Sequence, residues 1–331
     1  MNQPPPISPI AEFKDRHGGL IGFGILVILI GFVCALFVPL MFFGQAMSAK
    51  TTGGAPNFRM IIPGAVTYVV LAVSFIWLGI GSIMARRWAR ALLLILAWGW
   101  LLMGVFMVGF MTFFLSKMFG QLPAGGQPMP DGARVVALVV AVGILSVMFV
   151  ILPGLLVLFY RSRHVKATCD ARDPVVRWTD ACPLPVLALS LFLVFGVVSM
   201  IPMLLVYHGV MPFFGMLLSG VPGTALILAM IAVWGYCARA TYRCETTGWW
   251  VLLISFGVLM ASSILTVARV DLMEMYRMMG YPEQQIEQMK RYSFFTGKYL
   301  LLFMAISPLP FLGYLLYVKK YFPRAGRIAA A

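Results

Sequence analysis

The chain has 331 residues, 61% of them hydrophobic and only 11% charged, with a formal net charge of +14 and a mean hydropathy of +0.94. Soluble domains run at roughly 45–50% apolar and about 25% charged residues. A soluble fold of this length has no interior large enough for so much apolar surface, so the composition makes lipid the solvent.

Residues 1–19 form a polar N-terminal segment that starts with the polyproline stretch Asn2-Gln3-Pro4-Pro5-Pro6. Six runs free of Asp, Glu, Lys and Arg follow: Leu20–Phe43, Met60–Ala85, Ala91–Ser116, Val135–Tyr160, Thr246–Ala268 and Tyr299–Val318. Each supplies the roughly 20 residues that a helix needs to cross about 30 Å of hydrocarbon. A seventh charge-free stretch, Ala181–Ala238, has room for two crossings. Tyr207-His208-Gly209 and Ser219-Gly220-Val221-Pro222-Gly223 divide it, as an exit, a short turn and a re-entry would. The expected fold is therefore an all-α integral membrane protein with eight transmembrane helices. A β-barrel needs alternating polarity, which Leu92-Leu93-Leu94-Ile95-Leu96 lacks. The first run is too long for a cleavable signal and reads as an uncleaved anchor.

The basic charge follows a simple rule. Sixteen of the 25 Lys and Arg fall on one set of alternate loops and both termini, with Arg86-Arg87-Trp88-Ala89-Arg90 and Arg161-Ser162-Arg163-His164-Val165-Lys166 the densest clusters. The positive-inside rule then places both termini in the cytoplasm of a cell (inner) membrane. The clusters suit topogenesis and anionic head groups, and no soluble basic face is present for nucleic acid.

Landmarks recur in order. A proline lies late in spans 1 and 5 (Pro39, Pro202), Pro-Gly opens spans 2 and 6 (Pro63-Gly64, Pro222-Gly223), and a Trp follows in each (Trp77, Trp234). Pro153…Tyr160 and Pro310…Tyr317 close the series in spans 4 and 8. These predict two tandem, parallel four-helix repeats, at 20–160 and 184–318, because an even number of spans returns the chain to its starting side. Small residues such as Gly79, Gly81, Gly104 and Gly109 are the expected packing surfaces. Between the repeats, 161–183 reads as a polar cytoplasmic linker, and 319–331 is a basic tail. The outer loop of about 269–297 reads as a helical hairpin broken at Gly280, and Gly120–Gly132 as a flexible loop.

Candidate chemistry is sparse. No ionisable residue falls in the middle of a span, which argues against proton relays, voltage sensors and haem ligation. No H-E-x-x-H, Gly-x-Ser-x-Gly or Walker pattern occurs, so no catalytic residue and no cofactor are expected. Cys169, Cys182, Cys237 and Cys244 with His164 lack a C-x₂-C pair and read as small buried hydrophobes rather than zinc ligands. Met273, Met275, Met278 and Met279 bring soft thioethers to the outer face, where they suit either Cu(I) or lipid packing. Pro153-Gly154 and Pro308-Leu309-Pro310 interrupt spans 4 and 8, and paired breaks of this kind point to a midplane path or to packing kinks.

The expectation is a non-enzymatic scaffold or accessory subunit held in the lipid bilayer, with a membrane protein as partner. The alternatives are a passive carrier for a small neutral or apolar solute, past Pro153, Gly154, Pro308 and Pro310, and outer-face copper handling through the Met cluster.

Overall fold

The computed structural model describes residues 14–52, 61–119, 123–124, 127–128, 130–206, 209–281, 283, 286–287 and 298–322. Seven helices among them are long and apolar enough to cross a membrane. They are α1 (His17–Thr52), α2 (Ile62–Ile83), α3 (Arg87–Phe119), the continuous rod of α4 (Asp131–Ser146), a π-turn (Val147–Ile151) and α5 (Leu152–Arg161), then α7 (Leu184–Val206), α8 (Gly220–Tyr242) and α9 (Thr246–Arg269). Large apolar side chains stand on their outward faces, Leu36, Met103, Val136 and Leu158 being more than 60% exposed. In water such a surface drives aggregation. The architecture is that of a helical membrane protein.

Residues 53–63 apart, which group with the second, the chain divides into two compact units on either side of 180/181. In the first, α1 offers a narrow stripe of Leu20, Gly24, Val27 and Gly31, all buried, to α2. A Cβ on Gly24 would meet the Gly79 carbonyl at 2.9 Å, and one on Gly31 the Ala72 carbonyl at 3.0 Å. The two backbones therefore touch, which is how helices associate where hydrocarbon gives no hydrophobic drive. Ser82 pins the crossing: its hydroxyl donates to the Leu20 carbonyl (3.0 Å) and shares a 2.6 Å bond with the Tyr160 hydroxyl.

The π-turn before Pro153 has a direct cause. A proline inside a helix donates no hydrogen bond, and its ring collides with the carbonyl four residues back, here that of Phe149. The chain takes an extra residue into the turn, the Leu152 N–H bonding the Val147 carbonyl, so the rod continues instead of breaking. The displaced Phe149 carbonyl lies against Gly104 of α3, at a point where a Cβ would collide with it.

In the second unit α7 packs along α8, with Ser190 donating to the Ala238 carbonyl at 2.9 Å. Trp249, 1% exposed, donates to the Leu315 carbonyl (2.9 Å), and Tyr314 donates to the Pro185 carbonyl (2.7 Å), tying the last helix to both α9 and α7. The sequence predicts a crossing at Tyr299–Val318 interrupted at Pro308-Leu309-Pro310. The structure holds two short helices there, α11 (Lys298–Ile306) and α12 (Leu309–Lys319), separated at Ser307-Pro308. Two prolines in three residues remove two amide donors from one turn, more than a single π-turn can absorb.

Two turns have the same construction. After α2, the Ala85 N–H bonds the Ser82 carbonyl and the Arg86 N–H the Gly81 carbonyl, with Ala85 at φ +50°. After α8, the Cys244 N–H bonds the Thr241 carbonyl and the Glu245 N–H the Ala240 carbonyl, with Cys244 at φ +57°. Both are Schellman closures with a side-chain-bearing residue where glycine is usual.

Two stretches differ from the sequence-based outline. Residues 161–183, expected as a loop, contain α6 (Arg163–Arg172) and a 3₁₀ turn, Trp178–Asp180, packed in the first unit. The turn expected between spans 5 and 6 is a β-hairpin, β3 (Met211–Phe213) with β4 (Met216–Leu218). Of the loop Gly120–Gly132, the described part includes a short pair, β1 (Pro123–Ala124) with β2 (Gln127–Pro128); of the outer hairpin, 282, 284–285 and 288–297 lie outside the described residues.

Gly104→Ala should lower the unfolding midpoint in detergent, costing roughly 1–3 kcal/mol by overpacking against the Phe149 carbonyl. Gly99→Ala and Gly109→Ala, where a Cβ meets nothing within 4 Å, should raise it, because alanine favours a helix by about 1 kcal/mol.

Candidate functional site

Polar groups concentrate in two places, one in each unit. In the first unit, α6 lies across the ends of α1 and α3. Val165, Thr168 and Cys169 form its buried face, the i, i+3, i+4 spacing of one helical stripe. The chain entering α1 is strapped to it. The Arg16 N–H donates to the Thr168 hydroxyl at 3.1 Å, the Lys14 N–H to His164 Nδ1 at 3.4 Å, and the Arg172 guanidinium to Asp15 at 3.1 Å. Arg172 holds the exposed Asp15 carboxyl below its usual range.

Beyond α6 sits Asp173, whose side chain is 1% exposed. Arg86 and Arg177 each approach it at 3.5 Å, and the Arg87 backbone N–H donates to it at 3.3 Å. Arg87 also spans Asp170 (3.1 Å) and Asp180 (3.5 Å). A buried carboxylate is tolerated only when neighbouring charges and donors compensate it. This arrangement fixes the α2–α3 turn to the chain that follows α6.

In the second unit the β3–β4 hairpin turns through Phe214 (φ +42°) and Gly215 (φ +93°), a two-residue loop whose twist matches its strands. Its tip is latched to α9. The Phe214 N–H donates to Ser262 Oγ and the Gly215 N–H to Thr266 Oγ1, both at 3.0 Å. Thr266 in turn donates to the Ser262 carbonyl at 2.8 Å. Ser262 and Thr266 are one helical turn apart and so present one face. Gly209 (φ +65°) lets the strand leave beside α8, where its carbonyl occupies the space a Cβ on Gly223 would need.

Behind the hairpin is a cavity of about 140 Å³, with Pro212 and Leu217 on one wall, Val267 and Val270 on another, and Met275 and Met304 closing it. Its lining is almost wholly apolar, although Asp271 reaches its edge. Asp271 caps α10 (Leu272–Met278) by accepting from the Met273 N–H at 3.0 Å. Arg277 bridges Glu274 (3.3 Å) and Glu283 (2.8 Å) on the exposed side.

The predicted Met cluster divides by burial. Met273 and Met279 are packed inside, 1% and 7% exposed, Met278 is half-buried, and Met275 alone of the four faces the cavity. Met304, which the sequence reading passed over, faces Met275's cavity from α11. Pro153 is buried and Gly154 half-buried within a continuous rod; Pro308 caps α12 and Pro310 lies exposed in its first turn. The two breaks thus differ in consequence. Among the described residues, no three His, Cys, Asp or Glu gather as a metal site. Burial pushes the Cys169 thiol up to about 11, against an opposing pull from Arg90, and Cys182 up to about 12, with neighbouring Cys244 adding to the push.

The hairpin and its latch are what sequence reasoning missed. Gly209, Gly215 and Gly220 all take positive φ, and their spacing around Met-Pro-Phe-Phe was the available signal. No family model, curated protein or solved structure matches the chain.

Asp173→Asn should destabilise the protein by roughly 1–3 kcal/mol, since it leaves Arg86 and Arg177 facing a buried neutral group. Asp15→Asn, on an exposed pair, should leave the unfolding midpoint in place. Iodoacetamide at about pH 8 should label Cys169 and Cys182 slowly in the folded protein and rapidly in SDS, because only the thiolate reacts; fast labelling of the native form would contradict the burial.

Proposed function

We propose that the chain is an eight-crossing integral membrane protein with both termini in the cytoplasm, built from two tandem, parallel four-helix repeats, and that it works as a non-enzymatic scaffold or accessory subunit. The observation that carries the functional part is how the buried polar groups are used. Of the eight buried Ser, Thr and Asp residues described, six (Ser82, Thr168, Asp173, Ser190, Ser262 and Thr266) bond one element to another. Such groups are spent on holding shape. Ion pairs, similarly, fasten turns and the entering chain to α6.

The repeat draws support from the matched turns. Gly81 and Ala89 pack against each other across the first, and Ala240 and Gly248 across the second. Each pair is eight residues apart around a three-residue connection. The eighth crossing would be α11 and α12 together, and the distribution of Lys and Arg supports the orientation.

A second reading, outer-face copper handling, gains from Met275 and Met304 facing one apolar cavity, since thioethers suit Cu(I).

Purification in mild detergent, with mass spectrometry of whatever comes along and metal analysis of the same sample, separates these. A stoichiometric protein partner is the expected result. Protein that emerges alone with a bound solute would favour the carrier. Bound copper that is lost on Met275→Leu with Met304→Leu would favour metal handling.

A further inference from the structure

We infer that the β3–β4 hairpin is a membrane-embedded wedge, and that the exposed side chains of Phe213, Phe214 and Met216 contact lipid acyl chains rather than water or a protein partner. The inference rests on the membrane reading of α7, α8 and α9 and goes beyond the scaffold function. Three observations carry it.

The first is depth. The tip is held by Ser262 and Thr266, not by the end of α9 at Arg269. At 1.5 Å per residue those hydroxyls lie about 10 Å and about 5 Å inside the helix end. The hairpin therefore folds back along α9 into the level of its uncharged stretch, Thr246–Ala268.

The second is composition. Residues 209–223 hold no charged side chain, and the tip leaves Phe213 36%, Phe214 42% and Met216 55% exposed. A loop of this length in water would ordinarily carry polar side chains; here the outward face has the same chemistry as the spans beside it.

The third is the treatment of the backbone. Non-helical chain survives in hydrocarbon only where its amides and carbonyls find partners. Met211 pairs with Leu218 and Phe213 with Met216, and the two tip amides take hydroxyl acceptors. Pro212 opposite Leu217 occupies a non-hydrogen-bonded position between those pairs, where any other residue would turn a free N–H outward. Arg269, the last residue of α9, lies against Gly215, with Cδ 2.8 Å and Nη1 3.4 Å from where a Cβ would be, so the charge beside the tip comes from the helix end and not from the hairpin.

The test is photo-crosslinking in native membranes with p-benzoylphenylalanine placed at position 214 of the full chain. Position 258 on the exposed side of α9 serves as the lipid-facing control, and position 176, exposed outside the spans, as the aqueous one. The expected result is phospholipid adducts at 214, attached on the acyl chain, at a yield matching that at 258, with none at 176. Protein adducts at 214, or no adduct there while 258 still captures lipid, would overturn the wedge. Failure of 258 to capture lipid would overturn the membrane reading beneath it.

Discussion

A backbone amide or carbonyl without a partner costs several kcal/mol in hydrocarbon, and this constraint shapes the irregular features among the described residues. Where Pro153 deprives the rod of a donor, the chain inserts a π-turn and the Leu152 N–H reaches back to Val147. Where the hairpin must turn, α9 supplies two hydroxyls at the right spacing. Where α2 and α8 end, Schellman bonds close the last carbonyls before the chain reverses. The side chains that do this are short, Ser and Thr above all, because a hydroxyl serves as donor and acceptor while bringing little bulk.

Close backbone approach is the second consequence. The Phe149 carbonyl turned out by Pro153 needs somewhere to go, and Gly104 leaves the gap. The proline of the rod is thus matched by a glycine on α3, whose missing Cβ leaves room for the displaced carbonyl. Gly24 against Gly79 and Gly31 against Ala72 follow the same logic between α1 and α2. Packing in this protein is decided by the absence of side chains as much as by their presence.

Much of this was legible in the sequence, and the limits have physical reasons. The long apolar helices follow from length and charge alone, because lipid imposes a requirement that any reader of composition can apply. Gly79, Gly81, Gly104 and Gly109 all read as packing surfaces; the first three meet a neighbour, whereas Gly109, in the same helix as Gly104, faces open space. Whether a small residue meets a neighbour depends on the rotation of its helix, which the local sequence does not encode. The breaks at Pro153 and at Pro308-Leu309-Pro310 read alike in the sequence and fold differently, because proline spacing matters more than proline presence: one leaves a bulge, and two within three residues divide the helix. α6 was hidden by its polarity, though Val165, Thr168 and Cys169 carry a one-sided stripe. The hairpin was hidden by its apolarity, since it lacks the Asn-Gly or Asp-Gly turn that marks hairpins in water. Met273, Met275, Met278 and Met279 looked equivalent as a string, and only the fold distinguishes the two that pack inside from Met275 at the cavity.

The two Schellman turns show how a tight connection constrains what it joins. A three-residue link brings the helices on either side so near that their facing positions hold one Cβ between them. In the first turn the missing Cβ is at Gly81 on the incoming helix, and Ala89 fills the space. In the second it is at Gly248 on the outgoing helix, and Ala240 fills it. The pair keeps its summed volume while its members exchange places, as close packing requires when neither helix can move away. The cost appears at the turn itself. Ala85 and Cys244 are held in the left-handed region, where a side chain costs about 1 kcal/mol relative to glycine. Both turns accept that strain and spend their glycine on the helix contact, which places the stability of the link in the packing of its flanks rather than in the conformation of its tip.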